Sequence, residues 1–196
     1  MIKFILSLLF ATGFSVATYA GNPDVGKTKI NIADSKVEWT AHKVTGKHSG
    51  TINIKEGSLD IKDDILVGGT FTMDMPSLAV TDLTGEYKGK LEGHLKGDDF
   101  FSVATHPTAT LKITQATPKG EGQYQVKGDL TIKGITKPVT FMADFTPEGK
   151  KYRATANIRI DRTLYDIKYG SNKFFEDLGD SAIYDEFDLA VVLVTQ

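Results

Sequence analysis

The fold is decided by the stretch Tyr124–Phe145, YQVKGDLTIKGITKPVTFMADF, in which two alternating segments flank a two-residue turn. Apolar residues recur at every second position of each segment, and Lys133-Gly134 lies between them. A period of two is typical of half-buried β-strands, because successive side chains point to opposite faces. Glycine suits the turn because it readily adopts a positive φ. The stretch therefore predicts two neighbouring strands, each with one apolar and one polar face.

The same alternation recurs in six further segments, which gives eight predicted strands in all. The apolar positions are Val37, Trp39 and Ala41; Ile52 and Ile54; Ile65, Val67, Gly69, Phe71, Met73 and Met75; Ala109, Leu111 and Ile113; Tyr124, Val126, Gly128, Leu130 and Ile132; Val139, Phe141, Ala143 and Phe145; Tyr152, Ala154, Ala156, Ile158 and Ile160; and Phe187, Leu189, Val191 and Leu193. Proline and glycine mark turns at Thr117–Gly122 and Thr146–Gly149. Strands with one apolar face and no covering helices have to close on themselves or pair with a second sheet. We therefore predict an all-β, antiparallel meander.

One segment departs from the period of two. Between Thr81 and Gly97, Tyr87, Leu91 and Leu95 recur every four residues, which predicts a short helix between the third and fourth strands. Glycines also recur every four residues in this segment, so the helix has a low intrinsic propensity and needs to dock on the rest of the fold. Phe100-Phe101 follows as an aromatic plug that leads into the next strand.

The first twenty residues have the pattern of a secretory signal peptide. Lys3 precedes an apolar segment that is too short to span a bilayer, and Thr18 and Ala20 are the small residues of a cleavage site. We therefore assign residues 1–20 to a signal peptide and residues 21–196 to a single domain. No later apolar run approaches the ~20 residues of a membrane-spanning helix, so we expect no stable membrane insertion.

The composition excludes two further classes of protein. The chain contains no cysteine, so the core has to stabilise the fold without disulfides. The formal net charge is −2, and lysines are scattered along the chain rather than clustered. Nucleic-acid-binding surfaces concentrate basic residues on one face, so we expect no nucleic acid partner.

The sequence marks neither a catalytic nor a metal site clearly. His94 with Asp98 or Asp99 is the alternative enzymatic interpretation, as a base and its orienting acid. No activated nucleophile accompanies this group, so we predict a protein that is not an enzyme. His42 and His48 lack the spacing of zinc motifs, and we expect no metal and no cofactor.

A long connection, Arg162–Gly179, joins the last two strands. Long ordered connections in compact domains are uncommon and often functional. Two interpretations are open, a lid of aromatic side chains over an apolar interior and a structural cluster of charges. The aromatic residues are Tyr165, Tyr169, Phe174 and Phe175, and the charged residues are Asp161, Arg162 and Asp166.

Several motifs together resemble the YceI-like, lipid- or polyisoprenoid-binding family of secreted bacterial proteins. They run in the family's order along nearly all of residues 21–196, and they are Val37–Trp39, Lys43–Gly50, His94–Phe101, His106–Thr110, Gly128–Phe141 and Asp185–Leu189. The resemblance implies an eight-stranded, antiparallel, lipocalin-like barrel that holds a long isoprenoid chain. It also implies a periplasmic location.

We accordingly predict a periplasmic binding or carrier protein for an isoprenoid lipid, a polyprenyl or quinone-type chain, held inside the barrel. An eight-stranded barrel is either filled by side chains or holds one small ligand, and five small residues on the inward face favour the second case: Gly69, Gly128, Ala143, Ala154 and Ala156. The predicted wall residues are Trp39, Phe71, Met73, Leu111, Leu130, Phe141, Ile158 and Leu189, and the predicted mouth or plug residues are Phe100, Phe101 and Tyr165. Contact with a membrane surface for lipid exchange and a homodimer are further expectations. The alternative is a non-catalytic interaction or stress-related module with a packed core.

Overall fold

The computed structural model describes residues 25–196, and the predicted signal peptide lies outside the described residues. The strands are β1 (Gly26–Lys29), β2 (Lys36–Lys43), β3 (Gly46–Lys62), β4 (Ile65–Val80), β5 (Thr108–Gly120), β6 (Gln123–Ile132), β7 (Ile135–Glu148), β8 (Lys151–Asp161) and β9 (Ile183–Val194). The helix α1 (Gly85–Lys96) lies between β4 and β5, and two short 3₁₀ turns, Arg162–Tyr165 and Gly179–Ser181, lie between β8 and β9. No helix within residues 25–196 is both long enough and apolar enough to cross a bilayer.

Eight strands, β2 to β9, form a closed antiparallel barrel. Consecutive strands pair from β2 through to β9, and β9 pairs in turn with β2 and closes the ring. The closing ladder places Trp39 opposite Leu189, while Trp39 lies opposite Gly50 on its other side. This confirms the predicted eight-stranded barrel and the helix between its third and fourth strands.

The short strand β1 was not predicted and lies outside the ring. It pairs with the far half of β3, with Gly26 opposite Ile61 and Lys29 opposite Ser58. Its sequence, GKTK, contains no apolar residue. An alternation of apolar and polar residues therefore could not reveal it.

A β-bulge in β4 corrects part of the predicted inward face. Asp60 pairs with Gly68 and Ile61 pairs with Leu66, which leaves Val67 as an extra residue. One extra residue reverses which side chains face the core. Ile65 and Val67, predicted to point inward, are consequently 45% and 37% exposed, and Leu66 is buried in their place.

The core consists of two clusters, one at each end of the barrel. The first cluster contains Tyr124 and Phe145, and Tyr152 stacks on Phe145 with ring centroids 5.1 Å apart. We call this the closed end. The second cluster joins Trp39 and Leu95 with residues of the long connection, and we call it the helix-covered end.

The strands separate at the helix-covered end. The β7–β8 ladder runs only from Ala143 to Glu148 along β7, and the β4–β5 ladder stops at Asp74. The helix α1 packs on β4, and the 3₁₀ turn Arg162–Tyr165 packs on β7. Helix and turn therefore cover the end that the ladders leave open.

Candidate binding cavity

The barrel encloses a cavity of about 250 Å³. It is lined by the inner faces of the eight barrel strands and by α1, and its surface is almost entirely apolar. Partly buried side chains such as Phe141, Leu189 and Val191 adjoin both core clusters and line the cavity between them. Apolar cavities of about 150 Å³ stay free of water and take up benzene-sized molecules. The barrel is therefore not packed solid and has room for an apolar guest.

The structure places the eight predicted wall residues on the cavity surface: Trp39, Phe71, Met73, Leu111, Leu130, Phe141, Ile158 and Leu189. They come from seven strands, because each strand contributes alternate residues to the inside. The bulge in β4 ends before Phe71, so the inward positions of that strand agree with the prediction from Phe71 onward.

The three predicted mouth or plug residues lie in two different surroundings. Phe100 and Phe101 follow α1 and line the cavity at the helix-covered end. Tyr165 does not line the cavity, and it is only 1% exposed within the 3₁₀ turn. Burial, followed by the negative charge of Asp161, raises the pKa of Tyr165 to about 12. Tyr165 is a core residue and not a mouth residue.

The small residues of the inward face act in two different ways. Ala143, Ala154 and Ala156 line the cavity directly. A Cβ on Gly128 would lie 2.8 Å from the carbonyl oxygen of Lys112 and 3.0 Å from Cδ1 of Leu111. The three alanines therefore leave space in the cavity for a ligand. Gly128 instead allows Leu111 and Lys112 of β5 to approach closely.

Sequence reasoning missed several residues that line the helix-covered end. His94 was considered only as a catalytic base, but it lines the cavity together with Leu91 and Leu95. The spacing of Leu91, His94 and Leu95 at i, i+3 and i+4 was the available signal, because it puts the three side chains on one helix face. Ile183 and Tyr184, at the start of β9, also line this end.

The charged cluster of the long connection is organised around Arg162, which is buried. Its guanidinium donates hydrogen bonds to the carbonyl oxygens of Ile167 at 2.8 Å and of Ile183 and Tyr184 at 3.0 Å. Desolvation lowers the pKa of Arg162, against the opposing effects of Asp185 and Asp161. Arg162 therefore ties the connection to the start of β9. It forms no ion pair with Asp161 or Asp166, which pair instead with Lys173 and Lys168.

The aromatic side chains of the connection lie mainly on the outside. Tyr169, Phe174 and Phe175 are each about half exposed. The ring of Tyr169 packs on His94 with centroids 4.5 Å apart. Phe174 lies 5.5 Å from the ammonium group of Lys168. Tyr169 thus covers part of the cavity wall, while the two phenylalanines face solvent.

The structure does not assemble the alternative catalytic group. His94 packs edge-on against Phe100 and Tyr169, whereas Asp98 and Asp99 are exposed. No hydrogen bond or ion pair among residues 25–196 joins His94 to either acid. The base and its proposed orienting acid are therefore not in contact.

Two of the other three histidines, His42 and His48, lie near the rim of the barrel. Nδ1 of His48 lies 2.9 Å from a carboxylate oxygen of Asp82, and His42 packs on Tyr184 with ring centroids 6.3 Å apart. Within residues 25–196, no three side chains of the metal-ligating types form a group that would hold an ion.

These features define a class, a lipocalin-like antiparallel β-barrel with an internal apolar cavity and a helix over one end. The family is then given by the sequence: residues 29–195 match the model of the YceI-like domain, and the chain belongs to that family.

Its relatives among curated proteins are bacterial proteins described as UPF0312 proteins. The protein from Vibrio parahaemolyticus is 29% identical over 143 residues, which cover 72% of this chain and 75% of that protein. The protein from Ectopseudomonas mendocina is 46% identical over 57 residues. That match covers 29% of this chain and only 30% of the relative.

Solved structures share the fold. BcnA of Burkholderia cenocepacia superposes with a TM-score of 0.72 at 22% identity, covering 85% of this chain and 99% of that chain. A polyisoprenoid-binding domain from Saccharophagus degradans superposes with a TM-score of 0.63 at 12% identity, covering 88% and 99%. The YCEI protein of Campylobacter jejuni gives a TM-score of 0.56 at 16% identity, covering 100% and 92%.

Proposed function

We propose that this protein binds and carries an isoprenoid lipid, a polyprenyl or quinone-type chain, inside its barrel. The observation that carries the proposal is the apolar cavity of about 250 Å³ between the two core clusters. Burying an apolar chain contributes about 0.8 kcal/mol per CH₂ group, so the cavity wall itself supplies the affinity. The likeness in fold to a polyisoprenoid-binding domain supports this choice of ligand class.

Binding rather than catalysis is the function that the residues favour. The wall presents almost no polar surface, and His94 contacts neither Asp98 nor Asp99. Membership of the YceI-like family agrees with a binding role. Reversible burial of a lipid chain needs no catalytic group. In the proposed mechanism, the protein takes up the lipid, shields its chain from water inside the barrel and later releases it.

The exposed aromatic side chains support contact with a membrane surface during lipid exchange. Tyr184 is exposed and also lines the cavity, and Phe174 and Phe175 are exposed on the adjoining connection. Aromatic rings partition to the interface between water and lipid, where lysines such as Lys168 accompany them. The lipid would enter and leave at the helix-covered end, as a transient contact without insertion of a helix.

A periplasmic location is part of this proposal and is supported by the signal-peptide pattern of residues 1–20. Fractionation of bacteria that express the full chain, followed by determination of the N-terminal residue of the periplasmic form, tests it. We expect a mature chain that begins at Gly21. Retention of the complete chain in the cytoplasm would contradict the location without touching the binding proposal.

Native mass spectrometry of the protein purified without detergent tests the binding function. We expect a discrete adduct, and organic extraction should release a polyprenyl or quinone-type lipid. The same spectra report whether the protein is a monomer or the expected homodimer. A bare mass that stays unchanged after incubation with bacterial lipid extract would instead favour a non-catalytic interaction module.

A further inference from the structure

Two buried polar side-chain atoms of the described residues have no hydrogen-bond partner. They are Nε1 of Trp39 and Nε2 of His94, and both residues line the barrel cavity. Buried polar groups in native proteins are nearly always hydrogen-bonded, because an unpaired group has lost its bonds to water and gained nothing in return. That the two exceptions among residues 25–196 share one cavity points to a ligand group that pairs with them.

The indole of Trp39 is fixed by its neighbour on β3. Trp39 lies opposite Gly50, and a Cβ on Gly50 would lie only 2.5 Å from Cζ2 of the indole ring. The ring therefore packs directly over the glycine, and Trp39 is only 7% exposed. An indole nitrogen is a donor only, so the missing partner of Trp39 is a hydrogen-bond acceptor.

The imidazole of His94 reaches the same cavity from α1. Its ring packs edge-on against Phe100 at 5.0 Å and against Tyr169 at 4.5 Å between centroids. A neutral imidazole nitrogen donates or accepts according to its tautomer. Tyr169 is about half exposed and does not line the cavity.

Arg162, the buried charge at this end, does not require an anionic ligand group. The guanidinium of Arg162 lies 5.7 Å from the ring of Phe100. It already donates to three backbone carbonyls and lies 3.9 Å from a carboxylate oxygen of Asp185. Because these carbonyls and Asp185 already pair with its charge, Arg162 needs no phosphate group of a ligand in the cavity.

We propose that Trp39 and His94 bind a carbonyl oxygen at the polar end of the lipid. The indole N–H donates to this oxygen, and the imidazole in its Nε2–H tautomer donates to the same head group. The head group then lies at the helix-covered end, and the apolar tail points toward the closed end. This inference rests on the proposed function, because it requires that a lipid occupies the cavity.

Two probe compounds of the same shape test the inference. 2-Decyl-1,4-benzoquinone carries two carbonyl oxygens, whereas decylbenzene has a similar ring and the same tail without oxygen. We expect the wild-type protein to bind the quinone about tenfold more tightly, as one or two additional hydrogen bonds in an apolar site predict. Native mass spectrometry reports binding of both probes to the wild-type protein and to the variants, because decylbenzene does not quench indole fluorescence.

The variants Trp39→Phe and His94→Leu should each lose most of this preference and keep their affinity for decylbenzene. His106→Leu is the matched control, because His106 does not line the cavity, and it should keep the preference. Thermal melting shows whether Trp39→Phe folds, and His94→Leu carries the test if it does not. Equal affinity of the wild-type protein for both probes, or a preference retained in both variants, would overturn the inference and leave lipid binding intact. Binding of neither probe would overturn the proposed function together with it.

Discussion

Two consecutive residues of β7 have opposite surroundings. Phe141 lines the cavity, whereas the next residue, Met142, points outward and is 48% exposed. An arginine at position 141 would bring an unpaired charge into an apolar cavity, which is strongly unfavourable. We expect Phe141→Arg to abolish lipid retention or to destabilise the fold by several kcal/mol, as measured by native mass spectrometry and urea denaturation.

Met142→Arg provides the matched control for this prediction. The same charge is added one residue away, on the exposed face of the same strand. Surface substitutions usually change stability by less than about 0.5 kcal/mol. We expect normal folding and normal lipid retention. A folded Phe141→Arg variant that retains lipid as well as Met142→Arg does would show that residue 141 does not form part of the ligand's surroundings.

The pair formed by Asp82 and His48 predicts a pH dependence of stability. Burial alone would raise the pKa of Asp82, but hydrogen bonds from the amide of Ser49 and from His48 outweigh it, and the pKa falls below its ordinary value of 3.8. A carboxyl group whose pKa is lowered by folding stabilises the folded state above its unfolded pKa, and this contribution disappears as the pH falls through the folded pKa. We expect Asp82→Asn to be less stable than the wild type at pH 7, and the difference to shrink as the pH falls below 3.8 and through the lowered pKa of Asp82. Denaturation midpoints across pH 2 to 7 check this, and a difference of equal size at both extremes would assign the effect to packing rather than charge.

At the scale of elements, the alternation of apolar residues located the barrel strands because one face of each strand meets the cavity. The prediction was wrong where a strand has no apolar face or where an extra residue shifts its pairing. Strand β1 has no apolar residue, and the bulge at Val67 reverses the pattern next to Gly68, which has no side chain to signal a face. An extra residue in a strand depends on pairing with its neighbour, and the local sequence does not determine that pairing.

The long connection shows a second limit of sequence-based prediction. Arg162 is buried because it finds acceptors at Ile183 and Tyr184, about twenty residues further along the chain. Charged residues are rarely buried unless they are paired, and the partners of Arg162 come from tertiary contacts that the sequence around it does not reveal. Tyr165 was misassigned for the same reason, since tertiary contacts around Arg162 carry it into the core.

The helix α1 offers a prediction at its own scale. Gly89 and Gly93 lie within it, and an added Cβ at either position meets nothing within 4 Å. Alanine in a helix interior is about 0.8–1 kcal/mol more favourable than glycine. We therefore expect Gly89→Ala and Gly93→Ala each to raise the melting temperature by about 2–4 °C.

Gly85 is the control within the same helix. It has φ of +60° at the first helical position, a conformation that is unfavourable for alanine. We expect Gly85→Ala to lower the melting temperature although open space surrounds it. Equal shifts at all three glycines would mean that helix propensity does not limit the stability of this element.

At the scale of the whole molecule, the two ends of the barrel have different roles. The closed end is held by the ladder of β7 with β8 and by aromatic rings such as Phe145 and Tyr152. The helix-covered end depends on α1 and the connection between β8 and β9, which lie over separated strands. We therefore expect opening for lipid exchange at the helix-covered end, where residues 135–142 of β7 pair with no residue of β8.

Removal of the bound lipid should destabilise the two ends unequally. A ligand that binds only the folded state raises its stability, by about 2.7 kcal/mol at a free concentration one hundred times Kd. We expect the lipid-free protein to melt at a lower temperature and to exchange amide hydrogens faster in α1 and in residues 162–182. The strands around Phe145 should change least, because the ladder of β7 with β8 persists there without the ligand. Hydrogen exchange with mass spectrometry on the lipid-bound and extracted protein measures this, and faster exchange spread evenly over both ends would show that the ligand supports the whole barrel and not a gate at one end.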